Sequence, residues 1–155
     1  MNKKLYLYLI FSFLITLSGL FILGTTYYNF SSVNKDYKKG NLIIANQKIN
    51  IDIADNNELR YLGLSGRDRL NTDSGMLFVF GNSDYQIFCM RGMKFPIDIL
   101  WIRDSKIIGF QENMVVDNGA KNYSSPEPIN YVLEINAGFV KDNYVSIGDP
   151  ISIEL

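Results

Sequence analysis

Histidine is absent from the 155 residues, Cys occurs once, and the 15 Lys and Arg are matched by 16 Asp and Glu. Each shortage closes a class of function. Without His there is no Ser-His-Asp triad, no Cys-His dyad, no imidazole metal ligand and no imidazole pH switch. A single Cys allows neither an internal disulfide nor a structural zinc site made of cysteines. A net charge of −1 gives no surplus of Lys and Arg for phosphate contacts, so nucleic acid is not an expected partner. No GxxxxGK[ST] phosphate loop occurs, and Gly63, Gly75 and Gly92 read as turns or close backbone approaches.

What the chain does have begins with one long apolar run. Leu5 to Gly24 is uncharged over 20 residues and follows Lys3 and Lys4. At about 1.5 Å rise per residue a helix of that length crosses the roughly 30 Å bilayer core. Tyr6 and Tyr8 lie near one end and Tyr27, Tyr28 and Phe30 near the other, where interfacial aromatics belong. The run exceeds a signal-peptide core, and Gly24-Thr25-Thr26 is a poor cleavage site, so it reads as an uncleaved anchor. Residues 1–28 are thus expected to be a membrane anchor, spanning at about 5–24. Residues 29–40, polar and without periodicity, read as a tether. The lysine pair next to the run favours an inside N-terminus and an extracytoplasmic domain.

Residues 41–155 carry 10 Lys and Arg against 15 Asp and Glu, a net −5 that the whole-chain balance hides. Their apolar periodicity is two: Ile49, Ile51 and Ile53 alternate with polar residues, as do Ile151, Ile153 and Leu155. Met76–Phe80, Ile97–Ile102, Lys106–Phe110 and Tyr131–Ile135 read as further strands. Asp104-Ser105 and Asn118-Gly119 read as tight turns. One helix is expected from Asn56 to about Ser65 with Asp55 as N-cap, and a second turn of helix at Gly138–Asn143. The pattern predicts a mainly β domain, either a β-sandwich or a partly closed barrel, with one or two short helices behind a single transmembrane helix, and not βαβ units.

Ordered motifs run nearly the length of this domain: IDIADNNELRYLGLSGRDRL (51–70), SGMLFVF (74–80), FCMRGMKFPIDILWI (88–102), YVLEINAG (131–138) and IGDPI (147–151). They resemble the domain-of-unknown-function 192 family, departing at Ser65-Gly66, where the family usually has Met, and at Cys89, where it usually has Trp. The resemblance implies a compact, mainly β domain, often behind a signal or anchor segment, and implies no activity.

Two acids stand in apolar runs. On a strand Asp98 shares a face with Leu100 and Ile102, and Glu134 shares one with Val132 and Asn136. Burying a carboxylate alone costs several kcal/mol, so each needs a partner. Arg60, Arg67, Arg69 and Arg91 are the candidates, because a guanidinium fork matches a carboxylate. The ligand-binding set expected is therefore Arg67, Arg91, Asp98 and Glu134, with no cofactor and no metal. Cys89, flanked by Phe88 and Met90, is expected to be a buried, inert thiol. The reading of function is a membrane-anchored, extracytoplasmic binding or interaction module, its partner an envelope glycan, a small ligand or a protein. The alternative is an envelope hydrolase of glycosidase type using Asp98 and Glu134.

Overall fold

The structure is a computed structural model that describes residues 36–154. The anchor expected at 5–24 and the tether up to residue 35 lie outside the described residues. Elements run β1 (Lys38–Ile44), β2 (Gln47–Ala54), α1 (Asn57–Leu62), β3 (Ser74–Asp84), β4 (Ile87–Cys89), β5 (Ile97–Arg103), β6 (Lys106–Met114), β7 (Asn122–Ser124), β8 (Ile129–Asn136), α2 (Phe139–Asp142) and β9 (Ile151–Glu154). Seven strands form one sheet in the order β6-β5-β8-β3-β2-β1-β9, and β4 and β7 form a separate ribbon. The two end strands meet. Ile107 donates to the Asp149 carbonyl (3.1 Å), Gly148 to Ile107 (2.7 Å) and Ile151 to Ser105 (2.9 Å). Of the two architectures left open, this is the partly closed barrel.

Turn chemistry joins the strands as expected. Ala45-Asn46 and Asp104-Ser105 have φ of 48°, 61°, 49° and 61°, the positive values that a two-residue I′ hairpin requires. Strand β1 starts at Lys38, inside the stretch that composition assigns to the tether. Its pairing with β2, from Lys38↔Ile53 to Ile44↔Gln47, supplies the order that its own periodicity lacks. Helix α1 is capped by Asn56, not Asp55; the Asn56 Oδ1 accepts from the Leu59 amide at 2.9 Å. One expectation fails outright: β2 and β3 pair in parallel, so α1 lies in a true βαβ crossover. The helix is a turn and a half, too short for its pattern to announce a crossover.

Residues alternate between two faces. The inner face carries Leu42, Ile44, Ile49, Ile51, Ile53, Leu77, Leu100, Ile102, Ile107, Leu133, Ile135 and Ile151, closed at one end by Val140 and Val145. The outer face of the central strands carries Met76, Phe78, Ile99, Trp101 and Val132, also buried. Phe88 of the β4–β7 ribbon packs edge-on against Phe78 (4.9 Å) and Trp101 (5.7 Å), so that ribbon covers part of the outer face. Strand β5 is buried on both faces, which is why its sequence (IDILWI) runs nearly without polar residues.

Asp98 is the polar exception on the inner face, and it is fully buried. No arginine pairs with it, contrary to expectation. Its Oδ1 accepts from the Asn113 amide (2.7 Å) and its Oδ2 from the Val140 amide (2.9 Å). The first bond sits at a β-bulge. Between the pairs Ile97↔Met114 and Ile99↔Gln111, Asp98 alone faces both Glu112 and Asn113, and Asn113 has φ +50°. The second bond satisfies an orphan donor in the first turn of α2, whose own N-cap, Gly138, has no side chain to do so. One carboxylate thus ties a bulge and a helix start to the middle of the sheet. Charge-assisted bonds of this kind contribute about 1.5–3 kcal/mol each. Asp98→Asn keeps the shape but turns an NH₂ group toward one of two N–H donors. It should lower the urea unfolding free energy by about 3 kcal/mol, with the Val140 and Asn113 amides exchanging fastest relative to wild type.

Candidate functional site

The outer face is polar at one end and aromatic at the other. At the polar end Asn41 pairs with Asn50 and Asn50 with Ser74; at the aromatic end Ala54 pairs with Phe78, Phe78 with Val132 and Val132 with Trp101. Between them one transverse row crosses five strands: Lys39, Asp52, Met76, Glu134 and Ile99. Arg67, from the loop after α1, reaches over this row and bonds Asp52 at 2.7 Å; Lys39 bonds the same carboxylate from the other side. Burial alone would push the Asp52 carboxyl up, but these two cations outweigh it and hold it below the usual carboxylate range.

Among the described residues Glu134 has no such partner. Its Oε2 is buried and makes no hydrogen bond, and the residue is 6% exposed. Desolvation pushes its carboxyl up to about 8, only partly offset by the Arg67 guanidinium. At neutral pH it is therefore mostly a carboxylic acid, able to donate one hydrogen bond and accept others. Tyr37 closes the Arg67 side. Its phenol, raised by burial, donates to the Gly63 carbonyl at 3.1 Å, and its ring lies 5.3 Å from the Arg67 guanidinium.

Glu134 lines a cavity of about 310 Å³ between α1, the outer face and the ribbon. Leu62, Leu64, Phe78, Phe88 and Met93 form apolar walls; Arg60, Tyr61, Arg91 and Cys89 also line it. A larger cleft, about 480 Å³, lies at the polar end among Lys39, Asn50, Asp52, Arg67 and Arg69. Its carboxylate is already neutralised by two cations, so we place the candidate site in the smaller, aromatic cavity, where a buried polar atom lacks a partner.

Residues 41–153 match the family described as DUF192, uncharacterized ACR. The chain belongs to this family. No curated protein matches it. Among solved structures, a Sinorhizobium meliloti protein described as a candidate transcription regulator is 35% identical, with a TM-score of 0.70 over 76% of this chain and 95% of that one. A Novosphingobium aromaticivorans protein of unknown function shares the fold, with a TM-score of 0.67 at 23% identity over 75% and 84% of the two chains.

The DUF192 domain gathers only part of the site expected from its sequence. Glu134 and Arg91 line one cavity; Arg67 stands behind Glu134 and lines the polar cleft. Asp98 is elsewhere. It pairs with Ile135 and Glu134 with Ile99, so the two acids project from opposite faces of the sheet. A glycosidase pair must flank one bond from a shared space, and here the sheet intervenes. Arg60 was among the candidate partners of the acids; it bonds instead to the Val79 carbonyl (2.7 Å) and Asn57 Oδ1 (2.6 Å). Cys89 is exposed, correcting the expectation of a buried thiol. In the three-residue strand β4, Phe88 takes the inward position and its neighbours Ile87 and Cys89 turn out. Among the described residues no three Cys, Asp or Glu side chains converge as metal ligands do.

The state of Glu134 is testable by linkage. The folded domain keeps a proton that the unfolded chain releases, so this group lowers stability as pH rises from the ordinary carboxyl range to about 8. Its favourable contribution is complete only below the unfolded value. Each pKa unit corresponds to about 1.4 kcal/mol. Glu134→Gln, a mimic of the neutral acid, should remove that fall. Urea midpoints measured across this pH range should be flatter for the variant than for wild type, and the variant should be the more stable by a few kcal/mol at the alkaline end.

Proposed function

We propose that this chain is a membrane-anchored, extracytoplasmic binding module whose ligand occupies the aromatic cavity and reaches Glu134. One observation carries the reading: a buried carboxyl oxygen without a partner among the described residues, at a cavity of about 310 Å³. A polar group left unpaired in an apolar site costs about 1–3 kcal/mol, a cost that a bound molecule can recover. A concave apolar site with a few placed polar groups is the usual form of a small-molecule pocket. The volume favours a small ligand, or the tip of a larger glycan or protein, over an extended chain.

The anchor and the extracytoplasmic placement rest on the uncharged run 5–24 and the lysines before it. The bilayer is then the second partner. Of the two acids that the hydrolase reading uses, only Glu134 is on this face, because Asp98 faces the other way. The regulator description of the Sinorhizobium relative is compatible with ligand sensing. DNA contact is not favoured, since residues 41–155 carry a net −5.

Cys89 lines the cavity and is exposed, so it reports on occupancy. In the full chain it should react with a maleimide within minutes, and a ligand found by thermal-shift screening should slow that reaction. The same ligand should lose its stabilising effect in Glu134→Ala. N-terminal sequencing of the membrane fraction tests the anchor: a mature chain beginning between Thr25 and Gly40 would contradict it.

A further inference from the structure

We infer that the cavity takes a small organic anion whose acid group is held by Arg60 and Arg91, whose apolar body lies against Phe78, Phe88 and Leu62, and whose inner end offers a neutral oxygen or nitrogen to Glu134. The inference rests on the binding reading above and adds the chemical class of the ligand.

The charge of the lining argues for it. Neither Arg60 nor Arg91 is in an ion pair among the described residues. Each is positioned without being neutralised. Arg60 donates to the Val79 carbonyl and the Asn57 amide oxygen. Arg91 donates to the Tyr61 carbonyl at 2.8 Å and stacks on the Tyr61 ring at 3.9 Å. Both guanidiniums are thus docked at α1 with N–H donors to spare, since each carries five. Carboxylates and phosphates are the groups that such a fork binds best. A cation would meet two positive charges in the cavity.

The inner end argues for the rest of the ligand. Glu134 is held neutral, and a neutral carboxyl offers a hydrogen to an acceptor. The charged and titratable groups facing it are Arg67, Asp52 and Tyr37, and Arg67 with Asp52 is already paired. Between the two ends the walls are aromatic and aliphatic, which suits a ring or short chain. A volume of about 310 Å³ is at the lower end for small-molecule sites, so the ligand is one ring with short substituents rather than a drug-sized body.

The test uses the full chain, isothermal titration calorimetry and three probes that share one 4-hydroxyphenyl ring: 4-hydroxyphenylacetate, its neutral amide 4-hydroxyphenylacetamide, and the cation tyramine. Phenylacetate, which lacks the inner oxygen, is the fourth. The acid should bind about tenfold tighter than the amide, the equivalent of one charge-assisted hydrogen bond, and tyramine should be the weakest. Arg91→Ala should reduce acid binding about tenfold and leave the amide unchanged, whereas Arg91→Lys should retain part of the difference. Glu134→Leu should bring 4-hydroxyphenylacetate down to the affinity of phenylacetate. Arg91 is exposed, so loss of fold does not confuse its variant; melting temperature checks this for Glu134→Leu. Equal binding of acid and amide, or preference for tyramine, overturns the anion assignment and leaves the cavity a binding site. If no probe binds and none slows maleimide labelling of Cys89, the anion assignment and the binding reading both fall.

Discussion

Two parallel neighbours cannot be joined by a tight turn, so after Ala54 the chain must leave the sheet and return to the starting end of β3 at Ser74. What lies in that crossover becomes a cover for one face. Here it is α1 and the loop carrying Leu64 and Arg67. Had β2 and β3 been a hairpin, Met76 and Glu134 would lose this cover and Phe78 would keep only the ribbon's Phe88. With the cover in place they form a second apolar layer, and the sheet is buried on both sides at its centre. The fold is therefore a small barrel with an annexe, and the annexe holds the cavity.

The two buried acids show how differently the same carboxyl group can be accommodated. Asp98 is short, stands opposite a bulge, and meets two backbone amides that would otherwise be orphans. Both of its oxygens are satisfied by the chain itself. Glu134 is one methylene longer and points into the annexe, where the guanidinium that acts on it, Arg67, is already committed to Asp52. It answers burial by keeping its proton. The first acid is part of the framework, and the second is available to a visitor.

Much of the barrel was legible in the sequence, because period-two alternation and hairpin turns are local signals. Ile49, Ile51 and Ile53, the Asp104-Ser105 turn and the apolar run of β5 all took the places that their patterns imply. The facing of Asp98 with Leu100 and of Glu134 with Val132 followed from alternation alone. What alternation does not carry is which strand lies beside which. The opposed directions of the two acids, the parallel step and the identity of Asp98's partners all depend on register between strands distant in sequence. Backbone amides at a bulge and a helix start leave no residue-type signature, so arginine was the natural but mistaken partner for Asp98. Arg60 was legible as a residue type and not as part of a cavity, since it anchors to carbonyls through contacts that no spacing encodes. Cys89 misled because a three-residue strand is too short for alternation to show which side is inward.

The meeting of the first strand with the last has a consequence for assembly. Leu42 pairs with Ile153 and Ile44 with Ile151, so these ladders span nearly the whole domain. Loop closure of that length is slow relative to hairpin formation, and it has to precede any reward from the contacts it makes. During synthesis β1 can pair with β2 early, but its other edge stays open until residues 151–154 arrive. For that interval the nascent domain exposes an unprotected strand beside apolar residues, the situation in which chains associate with one another. The β1–β2 and β5–β6 hairpins can form first and wait, and the final four-residue strand then acts as a latch that closes both open ends of the sheet in one event.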